Sequence, residues 1–152
     1  MHTTSTTDSP TTSVPPGPRN VIRRATVGAL VATAANVALW WIGRELDASF
    51  VVDPALGDPN QGVGAVKVIL TTLVPFAAGT LLLVLAARRS RRWVTARVLA
   101  AGAFAVASAA GPLDGGHDAT TGVLLAMMHL TTGTAFVLAA NHTLADTPGT
   151  CA

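Results

Sequence analysis

Charge is the scarcest resource in this sequence. Asp, Glu, Lys and Arg together make up 12% of its 152 residues, where a soluble domain carries roughly a quarter. Half the chain is apolar and mean hydropathy is +0.49. So few charges cannot clothe a water-soluble surface over that much apolar material. Cysteine is nearly absent too. The lone Cys151 excludes an intramolecular disulfide and a thiolate metal site. No glycine-rich phosphate loop occurs, no apolar stretch holds paired carboxylates, and no spacing forces a Ser–His–Asp set together. Nothing therefore points to a cofactor, a metal or nucleotide chemistry. The formal charge of +2 and pI near 9.5 do not indicate nucleic acid, because the basic residues flank apolar runs instead of forming a soluble patch.

What is present is a set of four apolar runs, each long enough to cross a hydrocarbon core that takes ~20 helical residues. They cover about 25–43, 63–87, 93–113 and 121–140. Barrel strands alternate apolar and polar residues, and a segment such as Leu81–Ala87 does not. A helix also satisfies its own backbone in lipid. The expected fold class is thus all-α, a four-helix transmembrane bundle, with a membrane domain over 23–144. Residues 1–22, rich in Thr, Ser and Pro, read as a disordered tail, and 145–152 as a second polar tail. The first apolar run is too long and begins too late for a cleaved signal peptide, and Arg23-Arg24 lacks the rest of a twin-arginine signal.

Counting basic residues orients the bundle. Arg19, Arg23, Arg24, Arg88, Arg89, Arg91, Arg92 and Arg97 are eight of the ten basic residues, and they precede span one or lie around the turn joining spans two and three. The other two connections hold only Arg44 and Lys67, with six of the eight acidic residues. The positive-inside rule then places both termini in the cytoplasm of a multi-pass inner (plasma) membrane protein. The Asn141-His142-Thr143 sequon falls on that side and is discounted. The loop from Arg44 to Gly62, with Pro54, Gly57, Pro59 and Gly62, is expected to be a run of turns. Lipid does not drive apolar helices together, so small residues must let them approach. The Ala/Gly/Ser run over 100–111 and the set Gly122, Ala126, His129 and Thr132/Gly133 are candidate seams.

Polar residues within spans face the interior as a rule. Depth at ~1.5 Å per residue puts Asn36, Thr71, Ser108 and His129 in one layer in the outer half, with Lys67 about one turn shallower. Lys67, Thr71, Pro75 and Ala78 share a face, and Pro75 withdraws a backbone donor there. Two readings stay open. The layer is a small pocket opening outward, with His129 as its titratable member; or His129 and Asn36 hydrogen-bond across helices and fix the packing. Lys67 snorkels to the interface by default. His117 with Asp114 and Asp118 makes a poor metal site, and Arg88–Arg92 reads first as an orientation signal.

The chain resembles a family of small four-helix bacterial membrane proteins, common in actinobacteria and known as a domain of unknown function. The resemblance lies in Gln61-Gly62-Val63-Gly64-Ala65-Val66, in Arg88–Trp93, in Ser108-Ala109-Ala110-Gly111-Pro112-Leu113 and in Met128-His129-Leu130, in that order. It covers about Arg23 to Leu144. It implies that Ser108, Pro112 and His129 are characteristic positions, and it implies no activity or cofactor. The functional expectation is a non-enzymatic partner-binding or envelope-support protein, with the lipid bilayer and a membrane protein partner or homo-oligomer as its company. An oligomeric transporter or channel component, and a membrane-embedded enzyme acting on a lipid or isoprenoid through His129, are the alternatives.

Overall fold

A computed structural model describes residues 18–54, 57–87 and 91–145. Four helices carry the fold: α1 (Pro18–Glu45), α2 (Ala65–Ala87), α3 (Arg91–Gly115) and α4 (Ala119–Ala145). All four are long and apolar enough to cross a membrane. α1, α3 and α4 run beyond the apolar runs that mark them in the sequence, whereas α2 starts two residues inside its run. α1 begins at Pro18, whose fixed φ and missing N–H suit a first helical turn. Residues 18–22, expected as part of a disordered tail, are thus helical. The rest of that tail, the residues after Ala145 and Cys151 lie outside the described residues.

The helices run up and down in the ring order α1–α2–α3–α4, with each end of the bundle marked by its connections. One end holds the start of α1 with Arg19, Arg23 and Arg24, the end of α2 and the start of α3 with Arg92, and is called the basic end. The hairpin end carries the α1–α2 and α3–α4 connections. Two apolar clusters fill the bundle. Near the basic end, Ala32, Phe76, Leu83, Val94, Val98, Phe136 and Ala140 pack together, with Phe76 and Phe136 edge to face at 5.4 Å. Near the hairpin end, Phe50, Val68, Leu124, Leu125 and Met128 form a second cluster, against which Trp40 and Val63 pack. The outward surface is apolar as well: Leu30, Val31, Val66, Leu99 and Phe104 are all more than 60% exposed. In water that surface would be untenable, and in a bilayer it is the lipid face.

The α1–α2 connection departs from the expected run of turns. It contains two-residue strands, β1 (Val51–Val52) and β2 (Gln61–Gly62), paired antiparallel with Val51 opposite Gly62 and Val52 opposite Gln61. β1 also bridges to Gly116, through Asp53 N to Gly115 O at 2.8 Å and His117 N to Val51 O at 3.1 Å. Strands this short leave no alternating pattern to read. α1 ends in a Schellman motif: Ala48 N bonds to Gly43 O at 2.9 Å and Asp47 N to Arg44 O at 3.3 Å, with Asp47 left-handed at φ 54°. Phe50 is left-handed too, at φ 49°, which is unusual for a bulky residue. Its N–H donates to Thr121 Oγ1 at 2.9 Å, its carbonyl accepts from Val63 N at 2.7 Å, and its ring fills the notch left by Gly43, where a Cβ would overlap it.

Asp118 ties this cap to α4. Its Oδ1 accepts from Thr121 N at 2.7 Å, as an N-cap does at the third helical residue. Its Oδ2 accepts from Thr121 Oγ1 at 2.7 Å and from Ser49 Oγ at 2.6 Å and Ser49 N at 3.1 Å. These bonds, the Ser49 hydroxyl first, hold its carboxyl far below the usual aspartate range. Asp53 is lowered in the same way, by the Asn60 N–H at 2.7 Å and then by His117 at 3.1 Å. His117 therefore pairs with Asp53. Among the described residues, no three His, Cys, Asp or Glu side chains gather as metal ligands.

Candidate functional site: a lateral groove between α2 and α3

α3 follows α4 closely along its length but parts from α2 beyond the basic end, where Leu83 and Ala86 meet Val94 and Val98. The divergence leaves a cavity of about 840 Å³, within the size range of small-molecule sites. α2 and α3 form its walls, with exposed Leu70, Val74 and Leu82 on one and Ala100 and Phe104 on the other. α4 forms the floor through Leu125, Met128, His129, Thr132, Gly133 and Phe136, and Asn36 of α1 reaches it from behind. The opening is sideways, toward lipid, and not outward as the depth of the polar layer implied. Members of both apolar clusters line it, Val68, Leu125 and Met128 from one and Phe76 and Phe136 from the other.

Four of the five residues singled out from sequence line this groove: Asn36, Thr71, Ser108 and His129. Lys67 does not. Its Nζ turns toward the hairpin end and donates to Gln61 Oε1 at 3.1 Å. Asn36 is the best buried of the set, at 2% exposure. Its Nδ2 donates to Thr72 Oγ1 and Thr132 Oγ1, each at 2.9 Å, joining three helices. Both threonines escaped the depth argument. Thr72 was passed over for its neighbour Thr71, although its 3.6-residue phase with the buried Val68 and Phe76 was the signal. Thr132 is one turn on from His129.

The hydrogens in this layer are all committed within the protein. Thr72 donates to Val68 O at 2.8 Å and Thr132 to Met128 O at 2.9 Å. Both hydroxyls must then accept from Asn36, which assigns Nδ2 and Oδ1 without ambiguity. Thr71 donates to Lys67 O at 2.7 Å and Ser108 to Ala105 O at 3.1 Å. His129 Nδ1 lies 2.8 Å from Leu125 O, an acceptor only, so Nδ1 carries the hydrogen and Nε2 of the neutral ring has the lone pair. Asn36 Oδ1 is the one buried side-chain oxygen or nitrogen without a partner among the described residues. Pro75 and Pro112 each lack the N–H that would bond the carbonyl four residues back. Those carbonyls belong to Thr71 and Ser108, whose side chains line the groove.

Among the described residues, Arg97 supplies the only charge on the lining, toward the basic end of α3. It stands eleven residues from Ser108, or about 16 Å along the axis. Among the described residues, no carboxylate lines the groove.

Four membrane-crossing helices with a side-opening groove define a multi-pass membrane protein of the helical-bundle class. Within that class the chain belongs to the family of unknown function DUF6069, whose model matches residues 16–146. No curated protein and no solved structure matches it.

Proposed function

We propose that this chain is a non-enzymatic membrane protein that takes an apolar ligand from the bilayer into the groove between α2 and α3. The observation that carries the reading is the groove itself. It opens where a lipid-soluble molecule would arrive, and its mostly apolar lining includes the polar groups of Asn36, His129 and Thr132, which generic lipid packing does not call for. The non-catalytic reading rests on His129. Its Nδ1 is tied to the carbonyl of its own helix, and no carboxylate on the lining stands ready to orient the ring as a base. A pore through one bundle is disfavoured because apolar clusters lie toward both ends. We place the protein in the inner (plasma) membrane with both termini cytoplasmic, since the arginine-rich end obeys the positive-inside rule.

The groove is tested by native mass spectrometry of protein released in mild detergent, comparing wild type with Ala100→Trp, which fills the opening from α3. A small molecule on wild type and none on the variant is expected. An equally loaded variant, or a bare wild type, would remove the groove as a binding site. Orientation is tested separately in a Cys151→Ser background. A cysteine at the exposed Asp58 should react with an impermeant thiol reagent in intact cells, and one at Ser90 should not. Gly115 is unsuitable as a probe because a Cβ there would press on Asp53 O.

A further inference from the structure

Resting on the groove being a binding site, we infer that its ligand is an uncharged apolar molecule carrying a hydroxyl group, whose hydrogen is received by the layer of Asn36 and His129. Three observations converge on this. The first is the orphaned atom. Asn36 is 2% exposed and lines the cavity, and its Oδ1 has no partner. A buried acceptor left unmatched is destabilising, and only a donor can relieve it.

The second is the one-sidedness of the layer. Asn36 Nδ2 has two hydrogens, and Thr72 and Thr132 take both. The hydroxyls of Thr71, Thr72, Ser108 and Thr132 donate to carbonyls of their own helices, and His129 uses its hydrogen on Leu125 O. The layer therefore presents lone pairs and no free N–H or O–H. A carboxylate, phosphate, ketone or ether would bring acceptors to acceptors. A hydroxyl brings the missing hydrogen.

The third is charge. An ammonium group also donates, but among the described residues no carboxylate lines the groove to partner it, and an unpaired charge inside the membrane is strongly disfavoured. Arg97, about 16 Å from Ser108 along α3, would repel an ammonium rather than neutralise it. The remaining lining is almost wholly aliphatic and aromatic. At the Asn36–His129 layer these select the hydroxyl of a long-chain or polyprenyl alcohol over a carboxylate, a phosphate or an ammonium group.

The test compares four sixteen-carbon probes, hexadecanol, hexadecyl methyl ether, hexadecylamine and hexadecanoate, on the full chain in nanodiscs, read by native mass spectrometry. Hexadecanol should bind about tenfold more tightly than its methyl ether, the ratio expected for one net hydrogen bond, and Ala100→Trp should abolish it. His129→Phe, which removes one acceptor while keeping an aromatic ring, should narrow the ratio. Alcohol and ether binding alike, both lost in Ala100→Trp, would show that water satisfies the layer; the inference would fall and the groove would stand. Tighter binding of the acid or the amine would likewise overturn the hydroxyl assignment. If no probe binds, or binding survives Ala100→Trp, the groove reading fails and takes the inference with it.

Discussion

The two flanks of α3 are built from similar apolar residues, yet one is closed and the other open. Toward α4, small residues meet. Gly133 sits so close to Ala105 that a Cβ would overlap it, and a Cβ on Gly122 would lie 2.9 Å from Pro112 O. Toward α2, Phe104 and Ala100 face Leu70, Val74 and Leu82 with no such notch, and the helices separate. The contrast shows what holds helices together in lipid. Apolar character alone gives no drive to associate, because the lipid is as apolar as the partner; backbone approach and cross-helix hydrogen bonds do. The groove is the place where both are missing.

The sharpest way to break the comparison is to spoil the closed flank. Gly133→Leu forces a branched side chain into Ala105 and should destabilise by about 1–3 kcal/mol or more, seen as a lower thermal midpoint in detergent. Asn36→Leu comes next. It removes both 2.9 Å bonds that hold α2 and α4 to α1, so a loss of about 1–3 kcal/mol is expected, given that interhelical bonds are worth ~0.6–2 kcal/mol each. It should also free α2 to drift, read as faster hydrogen exchange in Val68–Phe76.

Asp118→Asn tests whether the closed flank depends on its cap. The Asp118 carboxyl is depressed in the folded protein, so its contribution is present at neutral pH and is lost as pH falls below the ordinary aspartate range. The wild-type melting temperature should fall across that acid window. The Asn variant should start lower at neutral pH and fall less. A parallel pair of curves would remove Asp118 as the titrating group. The smallest effect belongs to the open flank. Ala100→Trp and His129→Gln touch exposed positions and should each shift stability by no more than about 0.5 kcal/mol, while changing what the groove holds.

Much of this was legible before the structure. Span number followed from the apolar runs, since length against hydrocarbon thickness is a one-dimensional question. Asn36, Thr71, Ser108 and His129 share a cavity because depth along a helix can be counted. Azimuth was harder. Thr71 and Thr72 differ by one residue and about 100° around α2, and an almost wholly apolar helix has no polar face to settle which one turns inward. The sideways opening was also hidden, because it depends on the splay of α2 from α3, a property of two helices at once. The short strands at the hairpin end pair with each other, and β1 also leans on Gly116 far along the chain, so no local pattern announces them.

The cap has a consequence for how the chain is made. Ser49 finds its acceptor in Asp118, and Phe50 N finds Thr121 Oγ1; β1 leans on Gly116. Every one of these partners is synthesised after span three. Until α3 has been threaded and α4 has begun, the α1–α2 connection has only its own bonds to hold it, such as the β1–β2 pairing and Val63 N to Phe50 O. A nascent chain halted after two spans would show a loose, cleavable loop, and the finished one a knitted lid. The finished loop is thereby tied to the last hairpin, on the face away from the arginines.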